Sequence, residues 1–204
     1  SRVFASLGVA AIVEGGQTMN PSTKDILDSF ENLPTDKIII LPNNKNIILA
    51  AQQARDVTVK HVYVVPSRSI PQGLAAMMHL NMDGELEAIA TRMSKAIEEV
   101  TTIEITTATR TVEMDGVSVE QGQVIALVNG KLAVSVASVE EACLGALAHA
   151  HADENELITL FYGEEVPTTE TNRIVDVIRA AYPAQEIELQ DGGQPHYQFI
   201  ISIE

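Results

Sequence analysis

The stretch that decides the fold is Lys37-Ile38-Ile39-Ile40-Leu41-Pro42-Asn43-Asn44-Lys45-Asn46. Its continuous apolar run is typical of a strand that is covered on both faces, as in a parallel sheet. The polar loop that follows, and the amphipathic stretch at 46–54, predict a strand–loop–helix unit. Such a loop lies at the carboxyl end of its strand, which is where open α/β sheets bind ligands.

A second loop of the same character lies upstream, Gly15-Gly16-Gln17-Thr18-Met19-Asn20-Pro21-Ser22-Thr23. We predict a short buried strand at 10–13 before it and a helix at 22–32 after it, with Ile26, Leu27 and Phe30 on one face. Free N–H groups at a helix start favour anions. Neither loop contains a carboxylate, so they offer donors and no acid/base pair. The same residue types are ordinary in turns and caps, which leaves a structural role open.

The remaining pattern predicts two domains. Residues 1–100 continue with a strand at 60–65 and helices at 70–80 and 84–100, an alternation that predicts a parallel sheet. Residues 101–204 instead predict strands at 101–112, 123–128, 131–137, 157–162, 186–189 and 197–203, with helices from Ser138 and at 168–182. Asn129-Gly130 between apolar runs is a strong hairpin signal. The predicted fold class is α/β: a parallel-sheet domain (1–100) followed by a smaller α+β domain (101–204) that contains a β-hairpin.

Length and composition exclude several classes of protein. The chain has 204 residues, 46% of them hydrophobic, which indicates a globular protein. We find no apolar run that could span a bilayer and no signal peptide. The single cysteine, Cys143, excludes an internal disulfide and is more typical of a packing residue than of a nucleophile. We therefore expect a cytoplasmic protein.

Charge is distributed unevenly along the chain. Residues 1–97 carry nine basic and nine acidic residues, whereas residues 98–204 carry four and nineteen, which accounts for the whole net charge of −15. The acidic half argues against nucleic-acid binding, because it would repel phosphates. It suits either solubility or electrostatic attraction of a basic partner.

Motifs of catalysis and metal binding are absent from the sequence, which contains no HExxH, CxxC, P-loop, GxGxxG or GxSxG. His149 and His151 form the one close histidine pair, but positions i and i+2 of a helix point to different sides, so the pair is a poor metal chelate. We predict no catalytic and no metal-binding residues. The acidic clusters Glu98-Glu99, Asp153-Glu154 and Glu164-Glu165 are typical of solvated surface.

A third polar loop, Gly192-Gly193-Gln194-Pro195, repeats the Gly-Gly-Gln of the first. Parallel-sheet topology gathers strand-end loops at one edge, and clefts between domains are common ligand sites. We therefore expect the three loops to converge on one cleft. The alternative is that the third loop is a glycine-rich turn before the last strand.

Four segments together carry a family resemblance: Glu14–Thr23, Ile39–Ile47, Ile70–Ala76 and Gly192–Pro195. They resemble the C-terminal region of dihydroxyacetone-kinase-like proteins, which include the ATP-binding component of bacterial fatty acid kinase, and the match runs from end to end. The resemblance implies that the chain is a fragment of a longer kinase. ATP and Mg²⁺ are then expected only in a preceding N-terminal domain, and this chain itself has no cofactor.

A weaker resemblance connects Gln17–Ser22, residues 38–54 and residues 168–203 to DegV-like fatty-acid-binding proteins, the acyl-carrying partners of that kinase. It implies a two-part DegV-like fold. Those proteins have a Ser-Gly-Thr where this chain has Asn43-Asn44-Lys45-Asn46, and a His-Thr-Gly-Pro-Gly-like loop where it has Gly192–Pro195. The differences fall at the positions that hold the fatty-acid carboxylate in the family.

The expected function is a non-catalytic C-terminal module of a fatty acid kinase-type phosphotransferase, which contributes to docking of the DegV-like acyl-carrying subunit. The alternative is a domain that binds a fatty acid or a phosphate-like anion. Other expected partners are the remaining domains of the same polypeptide, with a homodimer left open. The expected ligand- or partner-binding residues are Gly16, Gln17, Thr18, Asn20, Ser22, Thr23, Asn43, Asn44, Lys45, Asn46, Gln72, Gly193 and Gln194.

Overall fold

A computed structural model describes residues 2–13 and 20–204. The chain divides into two compact units, Val3–Val100 and Thr101–Glu204. Nowhere in these ranges is a helix long and apolar enough to cross a bilayer.

The first unit is built on two parallel strands. Its elements are α1 (Arg2–Ser6), α2 (Thr23–Glu31), β1 (Lys37–Ile40), α3 (Ile48–Val57), β2 (His61–Val64), α4 (Ile70–Met78) and α5 (Leu86–Glu98). Strands β1 and β2 pair in parallel, with Ile38 opposite Val62 and Ile40 opposite Val64. The predicted strand–helix alternation of this half is confirmed over residues 22–98.

Alternate side chains of these two strands face different helices. Ile38 and Val64 pack with Ile26 and Phe30 of α2 and with alanines of α3. Ile39 and Tyr63 instead pack against a cluster formed by α4 and α5. The sheet is therefore covered on both faces, as the unbroken apolar run predicted.

The prediction of a buried strand at 10–13 is wrong. These four residues form no strand and are exposed, Ile12 to 42% and Val13 to 36%. A strand exists only where a neighbouring strand supplies its hydrogen bonds, and four apolar residues do not specify that neighbour. As a result, the parallel sheet in the described part of the first unit has two strands.

The second unit is a mixed six-stranded sheet with two helices. Its elements are β3 (Thr101–Thr107), β4 (Val112–Met114), β5 (Val117–Val119), β6 (Val124–Val128), β7 (Lys131–Val136), α6 (Val139–His149), a 3₁₀ turn (Ala152–Glu154), β8 (Leu157–Tyr162), α7 (Thr168–Ala181), β9 (Glu186–Asp191) and β10 (Tyr197–Ile203). The strand order is β7-β6-β3-β10-β8-β9, in which β8 and β9 are parallel and the other pairs antiparallel.

The core of this unit lies between one sheet face and the helices α6 and α7. It contains Ile103 and Ile105 of β3, Phe199 and Ile201 of β10, and residues of both helices such as Leu147. The other two strands, β4 and β5, form a separate hairpin. The strand predicted at 101–112 therefore ends at Thr107, and Val112 begins this hairpin.

Two tight turns in the second unit have the same conformation. Asn129 and Gly130, between β6 and β7, have φ of 49° and 79°. Asp115 and Gly116, between β4 and β5, have φ of 50° and 79°. Positive φ at both central residues matches the right-handed twist of a hairpin and favours Asn-Gly and Asp-Gly. The predicted hairpin at Asn129-Gly130 is confirmed.

Candidate functional site

The first polar loop is described only from Asn20 onward. The predicted binding residues Gly16, Gln17 and Thr18 lie outside the described residues. Ser22 caps α2: its Oγ accepts the Asp25 N–H, while the Asp25 carboxylate accepts the Ser22 N–H at 2.9 Å and the Ser22 hydroxyl at 2.7 Å. These bonds hold the pKa of Asp25 below its ordinary value. Capping therefore engages the Ser22 hydroxyl.

Thr23 and Asn20 differ in their surroundings. The Thr23 hydroxyl donates to Gln53 Oε1 at 2.9 Å and so links the start of α2 to α3. Asn20 is exposed. Of the described residues in this loop, Ser22 and Thr23 thus have structural roles, while Asn20 lies open to solvent.

The loop after β1 is joined to the loop after β2 through one pair of side chains. The Asn43 N–H donates to Ser67 Oγ at 3.0 Å, and the Ser67 hydroxyl donates to Asn43 Oδ1 at 2.8 Å. Ser67 is fully buried, and Asn43 has φ of 56°, a left-handed conformation that asparagine tolerates better than most residues. The carboxyl ends of both parallel strands are therefore held together by hydrogen bonds.

Helix α4 packs directly onto this pair. A Cβ added at Gly73 would overlap the Asn43 side chain, lying 2.7 Å from its Cγ. The neighbouring Gln72 accepts the Arg68 N–H at 2.7 Å, and Ser69 caps the helix by accepting the Gln72 N–H. Two predicted site residues, Asn43 and Gln72, thus lie on adjoining segments, and both are engaged by hydrogen bonds within the unit.

The remaining residues of the β1 loop are directed differently. Asn44 Oδ1 accepts the Asn46 N–H at 2.9 Å and so stabilises the turn. The side chains of Lys45 and Asn46 are exposed, as is Arg68 beyond the buried Ser67. The sequence has no carboxylate between Asp36 and Asp56 or between Asp56 and Asp83. These two loops therefore expose cationic and amide groups in a strongly acidic chain.

The third loop, in the second unit, folds its amide inward. Gln194 is 8% exposed, and its Nε2 donates to the Phe161 carbonyl at 2.9 Å. A Cβ at Gly192 would lie 3.0 Å from Gln194 Cδ, and a Cβ at Gly163 would lie 3.0 Å from the Gln194 carbonyl oxygen. The Gly192 and Gly193 N–H groups both donate to the Tyr162 carbonyl. The loop is thus a packed turn in which Gln194 bonds to the backbone.

An open depression of about 170 Å³ lies beside this turn, lined by Glu165, Gln194, His196, Tyr197 and Gln198. Burial, aided by the nearby Glu104 carboxylate, raises the pKa of Tyr197 to about 12, so its hydroxyl stays protonated at neutral pH. Pockets for drug-sized ligands usually have volumes of about 300–1,000 Å³. This depression could hold at most a small polar group.

The residues considered for metal binding and nucleophilic chemistry have ordinary structural surroundings. Over the described ranges, no three His, Cys, Asp or Glu side chains gather closely enough to hold a metal ion. His149 and His151 are both exposed. Burial, with a smaller contribution from the Glu140 charge, raises the pKa of the Cys143 thiol to about 12, which makes it a weak nucleophile.

Sequence reasoning missed the two residues that organise the first unit's loops, Ser67 and Gly73. Ser67 follows Pro66 at the end of β2, a position that indicates a turn and gives no sign of burial. Gly73 lies inside a predicted helix, where glycine is unfavourable by about 1 kcal/mol relative to alanine, and this cost was the available signal of close packing.

Relatives of known sequence match this chain along its whole length. A protein of Staphylococcus saprophyticus is 38% identical over 204 residues, and protein YloV of Bacillus subtilis is 35% identical over 202 residues. These alignments include 100% and 99% of this chain but only 37% and 36% of the relatives. The chain therefore spans little more than a third of the length of the relatives it matches.

Solved structures with the same fold are much less similar in sequence. A DegV family protein of Corynebacterium glutamicum aligns with a TM-score of 0.70 at 13% identity, over 99% of this chain and 92% of that protein. The Streptococcus pneumoniae fatty acid kinase B3 protein, solved with linoleic acid, gives 0.65 at 13% identity, over 90% and 76% of the two chains. The dihydroxyacetone kinase of C. freundii, solved with AMP-PNP and Mg²⁺, gives 0.59 at 11%, over 89% and 41%.

These likenesses establish a DegV-like α/β fold, as predicted. The model of the FakA-like C-terminal family, named for a component of fatty acid kinase, matches residues 1–204. With the motif set of its polar loops and a match that leaves no residue outside it, this chain belongs to the FakA-like C-terminal family of fatty acid kinase components.

Proposed function

We propose that this chain is a non-catalytic C-terminal module of a fatty acid kinase-type phosphotransferase, and that it contributes to docking of a DegV-like acyl-carrying subunit. The observation that carries the proposal is the family match over residues 1–204. The name of that family associates the chain with a fatty acid kinase, and the fold relates it to the fatty acid kinase B3 protein.

The length of the relatives supports the division of labour in this proposal. Because the chain spans about 37% of the Staphylococcus relatives, more than half of such a protein lies outside it. We assign ATP and Mg²⁺ to that remainder, since this sequence has no P-loop and no kinase glycine-rich loop. We also place the protein in the cytoplasm, because its single cysteine is unpaired.

The loop geometry favours a surface role over a pocket role. Asn43, Gln72 and Gln194 use polar atoms to hold their own loops together. The side chains that remain outward in the β1 loop are those of Lys45 and Asn46, on the unit whose two strand-end loops lack carboxylates. Exposed cationic and amide groups on a rigid loop suit recognition of another protein's surface.

The decisive experiment changes those outward side chains without disturbing the turn. The double variant Lys45→Ala/Asn46→Ala keeps the Asn46 N–H, and therefore its bond to Asn44. In the full-length protein we expect an unchanged melting temperature but weaker calorimetric binding of the DegV-like protein loaded with fatty acid. Lys37→Ala, an equal charge change at the opposite end of β1, is the matched control and should bind normally.

Two results would contradict the docking role. The first is wild-type affinity in the double variant together with wild-type affinity in a protein that lacks this whole chain. The second is phosphoryl transfer by the isolated chain when it is mixed with ATP, Mg²⁺ and the loaded DegV-like protein. Either result would remove the proposed separation between docking and catalysis.

The alternative function is binding of a fatty acid or a phosphate-like anion by this chain itself. It is favoured by the fold, since structural neighbours include a DegV family protein of Thermus thermophilus that is described as binding fatty acid. Native mass spectrometry of the purified chain with oleate, and separately with inorganic phosphate, tests it directly. A stoichiometric adduct that disappears in the double variant would favour this alternative over docking.

A further inference from the structure

The six-stranded sheet has two edges of very different chemistry. Edge strand β9 exposes the carboxylates of Glu186, Glu188 and Asp191, and charges on an edge strand discourage pairing with other chains. The opposite edge strand, β7, reads Lys131-Leu132-Ala133-Val134-Ser135-Val136 and has one charge in six residues. A nearly uncharged, β-branched edge is the type that pairs readily with another strand.

The β4–β5 hairpin reaches the β7 edge at one backbone group. Its turn residue Asp115 accepts the Leu132 N–H through Oδ2 at 2.8 Å. Lys131 pairs with Val128 across the adjoining turn, so the N–H of the next residue, Leu132, is directed out of the sheet toward solvent or a further strand. The Asp115 carboxylate therefore occupies the position that the carbonyl of an added strand would use.

The hairpin is anchored at its base and contacts the sheet at its tip. At the base, Val119 is fully buried and the Gln121 N–H donates to Thr111 Oγ1 at 3.2 Å. Between base and tip its strands are three residues long, a length that is marginal without other support. The hydrogen bond from Leu132 to a carboxylate is of the stronger, charge-assisted type and supplies that support at the tip.

We propose that the β4–β5 hairpin is an edge cover that prevents β7 from pairing with β7 of a second copy of this chain, and that the Asp115–Leu132 bond keeps it in place. A second copy is the occupant that fits, because antiparallel pairing of two identical strands is a closed two-fold contact. β7 can form that contact without bringing like charges together along its length. Two β9 strands could not, because their glutamates would face each other.

The variant Asp115→Gly tests this proposal in the full-length protein. Glycine removes the carboxylate but keeps the positive φ of the turn without strain. We expect hydrogen–deuterium exchange of the peptide covering 131–136 to become about tenfold faster, the lower end for loss of a hydrogen bond to a charged group. At high protein concentration we expect association beyond the wild-type state, measured by analytical ultracentrifugation.

Two further variants separate the bond from other effects. Asp115→Asn keeps an acceptor oxygen and tolerates the left-handed conformation, so it should restore slow exchange and the wild-type state of association. Glu113→Gln removes another exposed carboxylate from the same hairpin and should change neither measurement. Unchanged exchange at 131–136 in Asp115→Gly would overturn the proposal, and so would faster exchange without concentration-dependent association.

Discussion

At the scale of single residues, the contact between Gly73 and Asn43 determines how closely α4 approaches the loop after β1. A side chain at position 73 would overlap the Asn43 amide, which is itself fixed by two hydrogen bonds to the buried Ser67. Since Asn43 already has a left-handed backbone, it has little freedom to move away. Glycine is therefore required at position 73 by space.

We predict that Gly73→Ala destabilises the protein. Overpacking costs about 1–3 kcal/mol, and the gain of about 1 kcal/mol in helix propensity offsets part of it. Urea denaturation should show the loss. Gly84→Ala is the control, because its Cβ would meet Ile89 at an ordinary 3.5 Å, and it should leave stability within about 0.5 kcal/mol. The double variant Gly73→Ala/Asn43→Gly should lose less than the sum of the single changes; strict additivity would exclude the clash as the cause.

Cys143 gives a second prediction at this scale. With its pKa raised from 9.0 to about 12 by burial, the thiol is protonated and fully buried at pH 8. We expect no reaction with a thiol reagent in the native protein and full reaction in guanidinium. Because the folded pKa is the higher one, the associated stability is present below pH 9 and is lost as the pH rises toward 12. Native labelling at the unfolded rate would contradict this prediction.

At the scale of elements, helix α6 begins at a capped position. Ser138 Oγ accepts the Glu141 N–H at 3.2 Å, and the Glu141 carboxylate accepts the Ala137 N–H at 3.3 Å. The sequence predicted the serine cap and the glutamate three residues later. In the structure the glutamate reaches one residue further back than a capping box requires.

We predict that Ser138→Ala lowers the free energy of unfolding by about 1 kcal/mol, since the helix loses its side-chain acceptor. Ser138→Asp keeps an acceptor at the same position and should retain wild-type stability. Both are measured by urea denaturation at pH 7. Equal losses in the two variants would show that the site requires the hydroxyl itself rather than any acceptor.

Elements with local signals were predictable from the sequence. The Asn129-Gly130 hairpin and the helices begun by Ser22 and Ser138 carry turn and cap chemistry within a few residues, and all are present. The run at 10–13 had no such signal, because pairing depends on where another segment lies. The β4–β5 hairpin was partly missed for a related reason: its strands are too short to show a period of two.

The candidate site was less predictable than the fold. The sequence indicated polar loops at strand ends, and the pairing of Asn43 with Ser67 and the position of Gln72 lie where parallel strands end. It could not show that Gln194 would bond to the Phe161 carbonyl, since an amide in a Gly-rich loop satisfies a ligand and a backbone equally well. The convergence of the three loops on one cleft stays a prediction.

At the scale of the whole molecule, the net charge of −15 is the dominant feature. Two exposed acidic pairs flank strand β8: Asp153-Glu154 precede its start and Glu164-Glu165 follow its end. Because they lie at opposite ends of one strand, a partner that docks at one end leaves the other free. The two pairs therefore serve as controls for each other.

We predict that reversal of one pair to lysine slows association with the DegV-like protein several-fold and flattens its dependence on salt, while reversal of the other has little effect. Both variants change the net charge equally, so a difference between them reports location. Stopped-flow association at several salt concentrations measures it. Unchanged rates in both variants would assign these pairs to solvated surface alone.

The position of β10 has a consequence for the synthesis of this protein. β10 hydrogen-bonds to β3 on one side and to β8 on the other, so these two strands never pair with each other. A ribosome produces β3 and β8 first, and each must keep an edge open until β10 emerges, a few seconds later at ~5–20 residues per second. During that interval the nascent chain exposes two strand edges beside an incomplete core. Slow translation between residues 162 and 197 should therefore increase its dependence on chaperones.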